Sequence, residues 1–179
     1  MAYTIGIGVM LDEHTYNTLR EYELLLFESN GNTSGLSQPP HITVKVPFEV
    51  PAMKDIEATA RYMTEIAAKT KKFSLKIKGF GHFGDKVVFA KVIENTVLKK
   101  LSDTFITKLS PLDKQATERE RMIHHSTMAM NLSPKQYNVC QDILANKTLE
   151  IEVEVTSLGL FLGINDLSQW IVIKQASLR

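Results

Sequence analysis

A chain of 179 residues has room for one domain, or two small lobes sharing a core, and is too short for a multidomain enzyme. With 44% hydrophobic and 23% charged residues it matches soluble globular proteins, which excludes fibrous and disordered classes. Lys+Arg 21 against Asp+Glu 20 leaves +1, which excludes a protein that coats long nucleic acid but leaves room for a local basic cleft.

In chain order, Tyr3–Met10 (YTIGIGVM) reads as a short buried strand. Residues 12–27 follow as a helix with Tyr16, Leu19 and Leu26 near one face. The stretch 29–40 (SNGNTSGLSQPP) is polar, rich in Gly and Pro, and carries the strongest loop signal in the chain. Residues 41–48 (HITVKVPF) alternate, placing Ile42, Val44, Val46 and Phe48 on one face and His41, Thr43 and Lys45 on the other. A helix over 51–70 is expected from Ile56, Ala60, Met63 and Ala67 at helical spacing. Strands over 73–80 and 86–93 are joined by a Gly-rich turn at 81–85. Leu98, Leu101, Phe105 and Leu109 mark an amphipathic helix, followed by a polar loop over 110–122 that carries Arg119 and Arg121. Residues 124–132 (HHSTMAMNL) alternate again, and Ser133-Pro134 forms a helix start for a segment ending near Ala145. Strands over 150–156, a following apolar stretch and 169–175 complete the chain.

Laid side by side, both halves run strand, helix, loop, His-containing strand, helix, strand. An offset of 84 residues carries His41 onto His125, and the same offset carries Tyr3 onto Val87. The expectation is a single domain over 1–179 built from two pseudo-symmetric halves, about 1–85 and 86–179, produced by duplication.

Within that repeat stand two tripeptides, His41-Ile42-Thr43 and His125-Ser126-Thr127. Chance alone predicts about 0.4 such His-x-Thr matches, so the weight comes from context: both lie on alternating strands, at equivalent places, after polar loops. Residues two apart share a strand face, so His41 points with Thr43 and His125 with Thr127. Ile42, Val44 and Val46 face the core in one copy, and Met128, Met130 and Leu132 in the other, together with Ser126 and His124. An overlapping pair, His124 and Ser126, sits one residue out of register; the apolar alternation favours His125.

Two imidazoles and two hydroxyls facing one groove suit phosphate-ester chemistry. A free imidazole titrates near about 6.5, so one can be neutral and take a proton while the other is charged and gives one. Thr hydroxyls donate to non-bridging phosphate oxygens where charge builds up. The scheme needs neither metal nor cofactor.

These motifs resemble those of the 2H phosphoesterases, including the bacterial 2′-5′ RNA ligase and cyclic phosphodiesterase branch: PPHITVKVPF is similar to the first motif and HHSTMAMNL to the second. The resemblance implies a bilobal α+β fold, with antiparallel sheets lining a central cleft and helices outside. It also implies His41 and His125 as catalytic residues and Thr43 and Thr127 as phosphate ligands. The implied reactions are opening of a 2′,3′-cyclic phosphate to a 2′-phosphate, or cleavage or joining of 2′-5′ phosphodiester links. The partner is then an RNA end, an oligonucleotide or a small cyclic nucleotide, with no obligate protein partner. Which histidine is acid and which is base stays open.

Other residues carry two readings each. Lys45 is a phosphate-attracting ammonium or a solvated strand lysine; its counterpart at the 84-residue offset is Ala129. Arg119 and Arg121 meet substrate phosphates or belong to a solvated loop that also holds Glu118 and Glu120. Lys69, Lys71 and Lys72 favour a helix C-terminus. His82 reads first as part of a tight turn, His14 as surface, and Cys140, at core spacing with Tyr137 and Leu144, as packing. A single cysteine excludes an intramolecular disulfide and a multi-cysteine zinc site. No run approaches the ~18 apolar residues of a membrane span and no export leader precedes the first strand, so the expected setting is cytoplasmic. Two rival functions remain: a nucleotide- or RNA-end-binding module without turnover, and a metallohydrolase that uses the histidines as ligands.

Overall fold

The computed structural model describes residues 2–113 and 122–179. Its elements are β1 (Tyr3–Met10), α1 (Glu13–Asn30), a 3-10 turn (Ser34–Ser37), β2 (His41–Val50), α2 (Met53–Lys69), β3 (Phe73–Phe83), β4 (Val87–Val92), α3 (Thr96–Leu109), β5 (His125–Ala129), α4 (Pro134–Ala145), β6 (Glu150–Val155), β7 (Ser157–Ile164) and β8 (Gln169–Ser177).

Local chemistry sets the helix ends. Asp12 caps α1 by accepting from the Thr15 backbone N–H, and Gly31 closes it in the left-handed region at φ 72. Asn95 caps α3, and Ser133 with Gln136 forms a reciprocal capping box ahead of Pro134 in α4. α1 runs past the expected end at Phe27 to Asn30, because Gly31 is the first residue that reverses the chain without strain. Likewise β3 continues through Phe83, so the turn into β4 is shorter than the expected 81–85.

The strands form two antiparallel four-stranded sheets, ordered β2-β1-β7-β8 and β5-β4-β3-β6. Neither sheet is drawn from one half of the sequence. The strand that follows α2 (β3) joins the second sheet, while β7 and β8, at the C-terminal end, complete the first. The helices cross over too: α1 packs with α4 and β5, whereas α2 and α3 pack against the first sheet. Register also refines the internal repeat. Thr43 pairs with Gly8 and Thr127 with Phe89, so in β1 and β4 the equivalent residues are 81 apart, although the strands begin 84 apart.

The core runs between sheets and helices through Ile5, Ile7, Val9, Leu19, Met63, Ile77, Leu98, Phe105 and Leu158. Burying one such side chain contributes about 1.5–3 kcal/mol before the entropy of ordering it. Among the described residues no helix is long and apolar enough to cross a membrane.

The alternation expected along β2 breaks after Val44. Pairing between β1 and β2 slips on both sides of Ile7, which stands opposite Lys45. Val46, expected on the apolar face with Ile42, Val44 and Phe48, is consequently only half-buried, and Lys45 is fully buried.

Candidate active site

β2 and β5 are the outer strands of their sheets and lie next to each other where the sheets meet. The two His-x-Thr motifs therefore come together although 84 residues separate them. His41, Thr43 and Thr127 line one pocket of about 230 Å³ together with Lys45, Phe161 and Trp170. His125 lies two residues before Thr127 on the same strand, and its charge acts on His41.

Both imidazoles are held in the same way. His41 Nδ1 donates to the carbonyl oxygen of Pro39 at 2.8 Å, and His125 Nδ1 to that of Ile123 at 2.7 Å. A carbonyl only accepts, so in each ring Nδ1 carries the hydrogen and Nε2 keeps its lone pair. Thr43 Oγ1 lies 3.3 Å from His41 Nε2, close enough for a long donated hydrogen bond.

Aromatic rings back both histidines. Phe161 of β7 lies 4.3 Å from His41, centroid to centroid; Phe83 of β3 lies 5.0 Å edge-on to His125, and Phe89 of β4 lies 4.8 Å from it. Phe161 and Phe83 belong to a second pair of tripeptides, Gly159-Leu160-Phe161 and Gly81-His82-Phe83. Gly159 pairs with Gly8 and Gly81 with Phe89, so each Gly-x-Phe stands at the same place in its sheet. Sequence reasoning missed these rings, though the repeated Gly-x-Phe was a readable signal. Gly8 was missed as well: a Cβ there would stand 2.8 Å from His41 Cδ2 and 3.1 Å from Phe161 Cε2, so only glycine leaves room for the stacked pair.

Burial pushes both catalytic candidates below the usual imidazole value. For His41 the Pro39 carbonyl opposes this and the His125 charge adds to it; for His125 the Ile123 carbonyl opposes it. Both rings are thus mainly neutral near pH 7 in the free protein.

Lys45, one of whose readings was a solvated lysine, is 0% exposed and its ammonium lies 2.7 Å from the Asp113 carboxylate. Asp113 follows α3 and is itself buried, so the pair ties the second half of the chain to β2 beside the pocket. A buried charge needs such a partner, and no sequence pattern announced Asp113.

The overlapping His124/Ser126 pair points elsewhere. His124 Nε2 lies 2.8 Å from Ser102 Oγ on α3, and Ser126 is buried on the core face. Met130, expected with the core set, lies beyond the end of β5 and lines the pocket instead. His14 and His82 are exposed, the latter edge-on to Tyr137, and Cys140 is buried. Arg119 and Arg121 lie outside the described residues. No group of three His, Cys, Asp or Glu among the described residues is placed to hold a metal ion.

Paired antiparallel sheets around a cleft, with a His-x-Thr on each facing edge, define the two-histidine class of phosphoesterase fold. The sequence matches the 2′-5′ RNA ligase superfamily over residues 11–166, and the chain belongs to that family, the 2H phosphoesterases. It is 32% identical over 102 residues to a provisionally named phosphoesterase of Bacillus cytotoxicus, covering 55% of this chain and 56% of that one. It is 36% identical over 67 residues to a similarly named protein of Geobacillus kaustophilus, covering 36% of this chain and 38% of that one. The aligned stretches thus span about half of the first relative and less of the second. Whole-chain likeness appears in the fold: E. coli LigT superposes with TM-score 0.68 at 12% identity, covering 99% of this chain and 98% of that one. A Thermus thermophilus protein superposes at 0.70 and 16%, covering 98% of each.

Proposed function

We propose that this cleft is a paired-histidine phosphoesterase site for RNA ends or small nucleotides, opening 2′,3′-cyclic phosphates to 2′-phosphates or cleaving or joining 2′-5′ links. The observation that carries the reading is the matched tethering of two imidazoles, each held at Nδ1 by the carbonyl two residues before it. Each Nε2 is thereby left to handle a proton. For a cyclic phosphate, the neutral imidazole takes a proton from the attacking water as its oxygen bonds to phosphorus. The P–O3′ bond breaks, and the protonated imidazole gives its proton to O3′, leaving the phosphate on O2′. Thr43 and Thr127 donate hydrogen bonds to the non-bridging oxygens. Lys45, neutralised by Asp113, orders the pocket wall next to the phosphate. A crystal structure of E. coli LigT with 3′-AMP, superposing with TM-score 0.66, makes a nucleotide-sized ligand a reasonable fit for this fold.

The test incubates the protein, in excess EDTA, with the four nucleoside 2′,3′-cyclic monophosphates and with an oligonucleotide ending in a cyclic phosphate. Products are separated against 2′- and 3′-phosphate standards. Conversion to the 2′-phosphate is expected. Activity that disappears with the chelator would favour histidines acting as metal ligands. Binding without turnover of any cyclic or 2′-5′-linked substrate would favour the silent binding module.

A further inference from the structure

The segment between α1 and β2, residues 31–40, reads in the sequence as a plain loop, but in the fold it lies across both half-sites. At one end it is fastened to the residues just after the second motif. Asn32 Nδ2 donates to the Met130 carbonyl at 3.1 Å. Ser34 Oγ accepts from the Met130 N–H at 2.7 Å, and its one hydrogen is shared between the Asn32 side-chain oxygen and the Met130 carbonyl, the latter at 2.9 Å. Gly35 sits so closely on β5 that a Cβ would stand 1.9 Å from the Met128 carbonyl oxygen, so no other residue fits there.

At the other end the segment is held by Arg20 of α1. Its guanidinium donates to the Gln38 carbonyl at 2.7 Å and to the Gly35 carbonyl at 3.3 Å. The residue after Gln38 is Pro39, whose carbonyl holds His41 Nδ1. Arg20 also lies 2.8 Å from the buried Glu23, neither of whose carboxylate oxygens accepts an ordinary hydrogen bond among the described residues. Burial pushes that carboxyl up to about 8 against the pull of Arg20, and the guanidinium that lies beside it also donates to the two carbonyls.

We propose that residues 31–40 form a strap that sets His41 relative to the second motif, and that Arg20 and Ser34 are its positioning residues. The strap has two fasteners with different targets: Arg20 holds the Gln38 carbonyl, one residue before the Pro39 carbonyl that tethers His41 Nδ1, and so sets the tautomer and tilt of His41, while Ser34 ties the same segment to the backbone that follows Thr127. Its bearing on turnover rests on the paired-histidine reading above. Its bearing on His41 does not.

The experiment therefore reads two signals in wild type, Arg20→Ala, Arg20→Lys and Ser34→Ala: kcat and KM on a 2′,3′-cyclic nucleotide, and the His41 tautomer from ring-nitrogen NMR. In wild type the Nδ1–H form is expected. Arg20→Ala is expected to mix the tautomers and lower kcat about tenfold or more with KM within about twofold, because the loss is of alignment rather than binding. Arg20→Lys, with one compact cation for two carbonyls, should recover part of both signals. Ser34→Ala should lower kcat about threefold and broaden the His41 signals. A folded Arg20→Ala protein with wild-type kcat and an unchanged His41 tautomer overturns the strap. If Arg20→Ala does not fold, Ser34→Ala decides by the same two signals. If wild type turns over no substrate, the paired-histidine reading fails, while the tautomer comparison still upholds or overturns the strap.

Discussion

The two half-sites share a plan and differ in their surroundings. Each has a His-x-Thr on an outer strand, an Nδ1 tether to the carbonyl two residues back, and a phenylalanine from a Gly-x-Phe on the next strand but one. Around His41 the packing is dry: Phe161 is 3% exposed and Gly8 leaves the ring space to lie against it. Around His125 it is open: Phe83 is 37% exposed and Ile123, whose carbonyl holds the ring, is 59% exposed. The position opposite the motif threonine is Gly8 in one sheet and Phe89 in the other, so the second sheet fills with a ring the space that the first leaves for its histidine. One tethering scheme thus serves a rigid, desolvated imidazole and a more accessible one. That difference divides structural dependence between them unequally, while the proposed chemistry needs both.

The largest expected effect ignores the asymmetry. His41→Ala and His125→Ala should each lower kcat on a cyclic phosphate by about 10²–10⁴-fold with the fold intact by circular dichroism. An unchanged rate in either variant breaks the pairing. Next is a feature that among the described residues belongs to the His41 half-site, the buried Lys45–Asp113 pair, where the counterpart of Lys45 by the 84-residue offset is Ala129. Asp113→Ala should destabilise the protein by about 3 kcal/mol in denaturant melts, since it removes the carboxylate 2.7 Å from a buried ammonium. A change within the error of the melt would show that the pair is replaceable by solvent.

Gly8→Ala sharpens the contrast between dry and open halves. Its methyl group must displace the His41 ring, so kcat should fall about 10- to 100-fold. Phe83→Ala, on the exposed side, should cost about threefold or less in the same assay. Equal losses would mean that both rings are held by packing to the same degree.

The smallest effect is a displacement of the pH profile. Burial lowers both histidines from the ordinary imidazole value of 6.5, so the free protein gives up its imidazole protons at lower pH than free imidazole does. A reaction that needs one neutral and one charged ring then has its kcat/KM maximum on the acid side of about 6.5, and the two limbs belong to the coupled pair. A maximum above pH 7, or a flat profile, would contradict that electrostatic setting. The same shifts make native stability fall as pH drops through the histidine range, because the unfolded chain binds those protons more readily.

Much of this plan is legible in local residue patterns. The Ser133-Pro134 start and the apolar spacings place the four described helices to within a few residues, whereas the caps Asp12 and Asn95 emerge only in the structure. Alternation singles out the two motif strands and puts His125 rather than His124 with Thr127. Alternation fails at the slip around Ile7, where Lys45 turns out buried, since a bulge is a property of two strands in register and not of one. It fails again at Met130, which lies past the end of β5 and no longer obeys the strand's period.

The amino-acid sequence by itself determined the elements, the two His-x-Thr tripeptides and the family they belong to, because these rest on local periodicity and on residue types at short spacing. Only the tertiary structure decided which elements share a sheet. β3 leaves its own half for the second sheet, and β7 and β8 complete the first, so each histidine is backed by a phenylalanine from the other half of the chain. Tertiary structure also decided that Asp113 meets Lys45 and that Arg20 holds the Gln38 carbonyl. Such pairings join residues far apart in sequence through strand order and burial, and neither is written in the spacing of either partner.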